Sequence, residues 1–241
     1  MQVPPPTQYA TDRNLAARQR LWSHQRGGVN LVGWVLDLVD WSSVDRVLDV
    51  GCGNGHYLEA LASRGVGAVG CDLSAGMLAS AGDHRLVRAD ASRLPFADAS
   101  FGTVLAAHML YHVADVPSTA RELRRVLAPG GVLVAVTNGA AHLRSLRQLV
   151  ESVVAASDPG WRMLDPATRG FSLEQGPGLL RASFASAEVV RPDDPGRVAV
   201  SDPTVITDYL TSVADVYGSQ LSRLVEHFSR ALRAPIPATT L

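Results

Sequence analysis

Lysine is absent from this chain, and all 22 of its basic residues are arginine. Without an ε-amine, Schiff-base chemistry, a phosphate-loop lysine and a lysine general base are excluded together. Cysteine is nearly absent too. Cys52 and Cys71 lack the C-x-x-C or Cys/His spacing of a zinc site, so no metal is expected and the setting reads as reduced and cytoplasmic. No stretch approaches the roughly 18 apolar residues of a membrane span. The start, Met1 to Ala10, carries Pro4-Pro5-Pro6 instead of a basic, apolar leader, so no signal peptide is expected. Excess charge is missing as well: 22 Lys+Arg stand against 23 Asp+Glu, a net charge of -1. That balance gives no argument for nucleic acid or an anionic membrane as the main partner, and a homodimer is allowed.

What is present is a chain of 241 residues, 46% of them hydrophobic, long enough for one large domain or a domain with a small cap. Its bias toward Arg, Ala and Val fits a GC-rich bacterial coding sequence. Thr11 or Asp12 can cap a helix through Leu15, Arg18 and Trp22, ended by Gly27-Gly28, and a second helix spans Val29 to Val39. Short β-rich runs follow at Arg46 to Val50, Val66 to Cys71, Leu86 to Ala89, Thr103 to Ala107 and Val132 to Val136. Between them, His56 to Ser63, Ser74 to Ser80 and Pro117 to Leu127 have helical apolar spacing. This alternation predicts an α/β fold, a Rossmann-like parallel sheet with helices on both faces. An N-terminal helical lid precedes it, and a helical cap with Leu143, Leu146, Leu149 and Val153 is inserted after it. The expected division is 1–40 for the flexible start and lid helices, 41–138 for the core, 139–185 for the substrate cap and 186–241 for closing strands and helices. Ala187, Val189 and the run Val198 to Val200 read as late strands, Asp202-Pro203 opens a helix, and no final strand is evident after Arg233.

The chemistry concentrates in Val47-Leu48-Asp49-Val50-Gly51-Cys52-Gly53-Asn54-Gly55-His56, an apolar strand running into a glycine turn and then a helix. Glycines there let a ligand approach the backbone closely, and a helix starting at that point favours an anion over the turn. Asp72, ending the next strand, can accept both hydroxyls of a ribose, or it can cap the helix at Ser74. Asp90, after the third strand, can take an adenine amino group or make a plain Asx turn.

Together these residues resemble the class I S-adenosylmethionine-dependent methyltransferases, in the small-molecule branch with the ubiquinone-type and many natural-product enzymes. The resemblance runs from Arg46 to Asn138. It includes Ser92 to Phe96 with Phe101, His108-Met109-Leu110-Tyr111-His112, and Glu122-Leu123-x-Arg125-Val126-Leu127-Ala128-Pro129-Gly130-Gly131. It implies S-adenosylmethionine (SAM) as cofactor, S-adenosylhomocysteine (SAH) as its product, and a small-molecule methyl acceptor. The cofactor residues it implies are Asp49, Gly51, Gly53, Asp72, Leu73, Met77, Asp90, Ala91 and Ala107, with Tyr9 and Arg18 from the lid. Members of this family close the sheet with an antiparallel last strand.

A nicotinamide dehydrogenase is the nearest alternative, but dinucleotide sites want G-x-G-x-x-G, and here the third glycine comes two residues after the second. Asp49 would repel a pyrophosphate, whereas it can help position an amine. A non-catalytic SAM-binding scaffold or regulator is the other alternative. For catalysis the candidate is His108, at the end of the fourth strand, as a general base or as a group that orients the acceptor. His112 and Asn138 are weaker candidates nearby.

Overall fold

The computed structural model describes residues 9–43, 46–154, 170–213, 225 and 239–240. In chain order the elements begin with α1 (Arg13–Trp22), β1 (Gln25–Arg26), α2 (Leu31–Asp37), β2 (Val47–Val50), α3 (His56–Ala62), β3 (Ala68–Asp72), α4 (Ala75–Ser80) and β4 (Arg85–Arg88). There follow β5 (Phe101–Ala107), α5 (Val116–Val126), β6 (Leu127–Val136), α6 (Arg144–Val154), α7 (Gly176–Leu180), β7 (Arg197–Val200), α8 (Pro203–Ser212) and β8 (Thr239–Thr240). Short 3-10 turns lie at Trp41–Ser43 and Leu110–His112. Helix starts follow side-chain chemistry: Asn30, Ser74, Asp115 and Asp202 each accept a backbone N–H of the first turn they precede. Among the described residues no helix is long and apolar enough to cross a membrane.

The chain divides into two compact units. The first comprises Asn30–Ala140 and the described part of Pro166–Arg191; the second is built from the described parts of Pro6–Val29, Ala141–Asp165 and Pro192–Leu241. Helix α6 of the expected cap thus falls in the second unit and α7 in the first.

The first unit is a five-stranded sheet of order β4-β3-β2-β5-β6, every pair parallel. Because side chains alternate along a strand, two apolar layers form on its opposite faces. Leu48, Val50, Val104, Ala106, Leu133 and Ala135 join α5 through Ala120, Leu123 and Val126. Val47, Leu105, Val134 and Val136 join α2 and α3 through Val35, Leu36, Tyr57 and Leu61. Helices therefore cover both faces, as the strand–helix alternation implies. Every strand points its carboxyl end the same way, so the loops after β2, β3, β4, β5 and β6 gather at one rim.

The segment between β4 and β5 is tied to α5 by one arginine. The Arg125 guanidinium donates to Glu122 (2.8 and 2.9 Å), Asp98 (2.6 Å) and the carbonyls of Phe96 and Leu94, while the Leu94 N–H donates to Glu122 (2.7 Å). The Glu122-x-x-Arg125 motif is thus a brace.

In the second unit, β1, β7 and β8 form an antiparallel sheet, and Leu21, Leu146, Val150, Val198, Val205, Ile206 and Leu210 make the core. The strand expected around Ala187 and Val189 does not form: 187–196 is irregular, and two prolines, Pro192 and Pro195, interrupt it. The closing antiparallel strand of the family is likewise not seen on the five-stranded sheet. Among the described residues β6 is its edge, and β7 and β8 pair elsewhere.

Arg125→Ala is expected to lower stability by roughly 1–3 kcal/mol, because it removes several charge-assisted bonds and leaves Glu122 without its partner. Urea unfolding of the two proteins checks it, and an unchanged midpoint would show that the brace is dispensable.

Candidate functional site

The first element of the rim is the turn after β2. Gly51, Gly53 and Gly55 have φ of +69°, +56° and +83°, the left-handed region that side chains with a Cβ avoid. Gly51 also has no room: a Cβ there would lie 2.6 Å from Cβ of Met109. The turn is sewn to the end of β3 by the N–H groups of Gly51 and Cys52, which both donate to the Cys71 carbonyl (2.7 and 3.0 Å).

Asp72 completes that seam. Its Oδ2 accepts from the Gly53 N–H (3.0 Å) and its Oδ1 from the Ser74 N–H (2.8 Å). Ser74, not Asp72, caps α4, accepting from the Met77 N–H. The carboxylate of Asp72 is thereby aimed across the glycine turn. Burial raises its pKa above the ordinary aspartate value, opposed by the N–H groups of Ser74, Gly53 and Leu73.

Asp49 has the contrary environment. It is 1% exposed, and neither carboxylate oxygen has a hydrogen-bond partner. Burial first, and the charge of Asp72 second, push its carboxyl up to about 7. The Tyr57 hydroxyl is also buried and without a partner, and Cys52, Cys71 and Tyr57 are all shifted upward by burial and by Asp49. Both thiols are therefore poor nucleophiles. An acid held with no donor beside a glycine cradle suits a ligand that brings its own cation.

The other rim residues are arranged as follows. Asp90 makes the Asx turn that the sequence allowed, its Oδ1 accepting from the N–H and hydroxyl of Ser92 (both 2.8 Å). Ala91 and Met77 are buried, Leu73 half-buried, and Ala107 ends β5. His108 follows with φ +54°, an uncommon conformation for a non-glycine residue, fixed by its N–H donating to the Val136 carbonyl (2.9 Å). That twist turns the next residue, Met109, onto Gly51. Tyr111 and His112 lie with ring centroids 4.4 Å apart.

Sequence reasoning missed two features. Met109 is a close-packed neighbour of the glycine turn, which only the three-dimensional return of β5 could show. The strap 170–174 was not anticipated either. The Thr137 hydroxyl donates to the Phe171 carbonyl (2.8 Å), the Leu173 N–H to the Asn138 carbonyl (3.2 Å) and the Ala140 N–H to Glu174. These bonds lay 171–174 across the end of β6, and Gly170 approaches the Tyr111 backbone. Tyr9 and Arg18 belong to the second unit, where Arg18 donates to the Tyr9 hydroxyl (2.7 Å) and the Ser212 carbonyl (2.7 Å).

A protonated Asp49 makes stability pH-dependent with a definite sign. An aspartate of ordinary value 3.8 that titrates near 7 in the native state gives the folded form the extra proton between those values, so stability falls as pH rises across them. From pH 5 to pH 8 the loss from this group is about 2–3 kcal/mol. Asp49→Asn should remove most of it, leaving a smaller dependence from Asp72. Urea unfolding at both pH values checks this, and equal pH dependence in both proteins would mean that Asp49 is charged throughout.

Residues 48–135 match the family model described as a methyltransferase domain. A demethylmenaquinone methyltransferase of Mycolicibacterium gilvum is 42% identical over 95 residues, which are 39% of this chain and 42% of that protein. The chain spans about two fifths of the length of such curated relatives. Among solved structures, the YcgJ protein of Bacillus subtilis superimposes with a TM-score of 0.54 at 20% identity, covering 82% of each chain. The cyclase SpnF does so with a TM-score of 0.57 at 21% identity, covering 95% of this chain and 92% of that one. At these identities the two structures show a shared fold, and the second shows that this fold also carries other chemistry.

Proposed function

We propose that this chain, whose residues 48–135 form a class I SAM-dependent methyltransferase domain, transfers a methyl group from SAM to a small-molecule acceptor in the bacterial cytoplasm. The observation that supports it most is the paired acids at one glycine turn: Asp72 held by backbone N–H groups and aimed across it, and Asp49 buried beside it with no cation of its own. A ribose diol suits the first and an amino acid's ammonium the second. A pyrophosphate suits neither, because the Asp72 carboxylate would repel it and it brings no cation to Asp49.

In this reading Asp72 holds the ribose hydroxyls, Asp90 and the N–H of Ala91 meet the adenine edge, and Gly51 and Gly53 let the ligand lie against the backbone. Asp49 faces the amine, and Leu73, Met77 and Ala107 supply apolar wall. When bound, the cofactor supplies a methyl group on a sulfonium, whose leaving group departs neutral and needs no acid. The residues of the chain then have to bind, orient and keep out water. Holding the acceptor in attack geometry can contribute roughly 7 to 11 kcal/mol, more than a base contributes. His108, at the end of β5, is the residue proposed to orient the acceptor and, for a phenol or carbon acid, to accept its proton. The strap with Phe171 and the pair Tyr111 and His112 favour a partly apolar acceptor. The menaquinone enzyme is matched over only 95 residues, 39% of this chain, so its acceptor is not carried over.

Calorimetry should show SAM and SAH binding and no NAD binding; NAD binding without SAM binding would end this reading. Asp72→Ala should weaken SAH by roughly 30- to 1000-fold, the loss of two charge-assisted bonds worth about 2 to 4 kcal/mol. Unchanged affinity with lowered melting would make Asp72 a structural clamp only. For His108→Gln, orientation alone predicts a modest loss of turnover with the pH–rate profile kept. A loss of about 10² to 10⁴ with the acid limb abolished would show that His108 is a base.

A further inference from the structure

We propose that Asp49 is a ligand-linked proton site: uncharged in the free protein, it gives up its proton when a ligand places a positively charged amine at the glycine turn. The site then selects amine-bearing nucleosides over nucleosides that lack the amine. This rests on the cofactor reading above and adds to it a proton stoichiometry and a basis for selectivity.

The groups facing Asp49 leave no other way to satisfy it. From β3 come Asp72 and Cys71, from the glycine turn Cys52, and from α3 the Tyr57 hydroxyl. From β5 the register partner is Leu105. None of these is cationic. A carboxylate 1% exposed, with both oxygens unpartnered and a second acid nearby, is held in its neutral form. Asp72 differs because two N–H groups solvate it. The two neighbouring acids thus divide the work: one is kept ready as an acceptor by backbone donors, and the other is ionised only by its ligand. An ammonium within about 4–6 Å reverses the bias, since an opposite charge at that distance strongly favours the ionised form. The proton balance is simple: the amine arrives already protonated, Asp49 loses its proton to solvent, and no covalent bond changes.

The test is calorimetry of SAH binding to the full chain at pH 6.5, in two buffers of different ionisation enthalpy. With its carboxyl pushed up to about 7, Asp49 should release a substantial fraction of a proton per ligand, and affinity should rise on the order of tenfold between pH 5.5 and pH 7. That window lies below the pH at which an α-amine loses its own charge. 5′-Methylthioadenosine, which lacks the amino-acid tail and with it the charged amine, should bind more weakly, release no proton and show a flat profile. Asp49→Asn should bind SAH without proton release. The buffer measurement on the unaltered protein stands by itself should that variant fold poorly. SAH binding with no proton release overturns this inference alone. Proton release that persists in Asp49→Asn, or that appears equally with the amine-free nucleoside, overturns it too. Absence of any SAH binding overturns the cofactor reading with it.

Discussion

The carboxylate of Asp72, shared between the N–H groups of Gly53 and Ser74, is the constraint on which the rim depends. It joins the ends of β2 and β3 after the last strand-to-strand bond and fixes the path of the glycine turn. The Cys71 carbonyl repeats the link with the N–H groups of Gly51 and Cys52. Because the turn is held this tightly to β3, Asp49 one step earlier is sealed from water. The same packing brings Met109 against Gly51, so that the end of β5 is positioned by the turn it faces. A buried acid, a cradle of left-handed glycines and a twisted histidine therefore meet at one turn.

Away from the rim the sheet obeys the ordinary rules. Alternating apolar residues fill both faces, Asn30, Ser74 and Asp115 cap α2, α4 and α5, and Arg125 braces the long connection between β4 and β5. At the rim the rules are broken together. Asp49 and the Tyr57 hydroxyl are buried without partners, and His108 has a positive φ. Departures of this kind reduce stability; the Thr103 hydroxyl and the positive φ of Ala99 lie toward the other end of β5, and Asp49 is the one carboxylate among the described residues that is buried without a partner.

Much of this was legible in the residue order. Strand runs at Arg46 to Val50 and Thr103 to Ala107 alternate with amphipathic helices, and periodicity alone places them within a residue or two. The glycine spacing with Asp49 and Asp72 is a local signal, because the turn chemistry lies within consecutive residues. Features that depend on distant segments were not legible. Met109 reaches Gly51 across 58 positions of chain, and the strap 170–174 is tied down by Thr137, Asn138 and Ala140, which carry no periodic signal. Ala187 and Val189 alternate like a strand and still form none, since alternation specifies a strand only where a neighbouring strand pairs with it. Of the two roles that the sequence left open at Asp72, the cap is taken by Ser74, and Asp72 accepts from the N–H groups of Gly53 and Ser74.

A crystal structure with SAH tests the central claim most directly, because the claim assigns each acid a different partner. The account predicts ribose hydroxyls within hydrogen-bond distance of the Asp72 carboxylate and the ligand's amine within about 4–6 Å of Asp49, with the glycine turn in its present path. SAH bound elsewhere, or bound at the turn with Asp72 engaged only by its two backbone N–H groups, would contradict it.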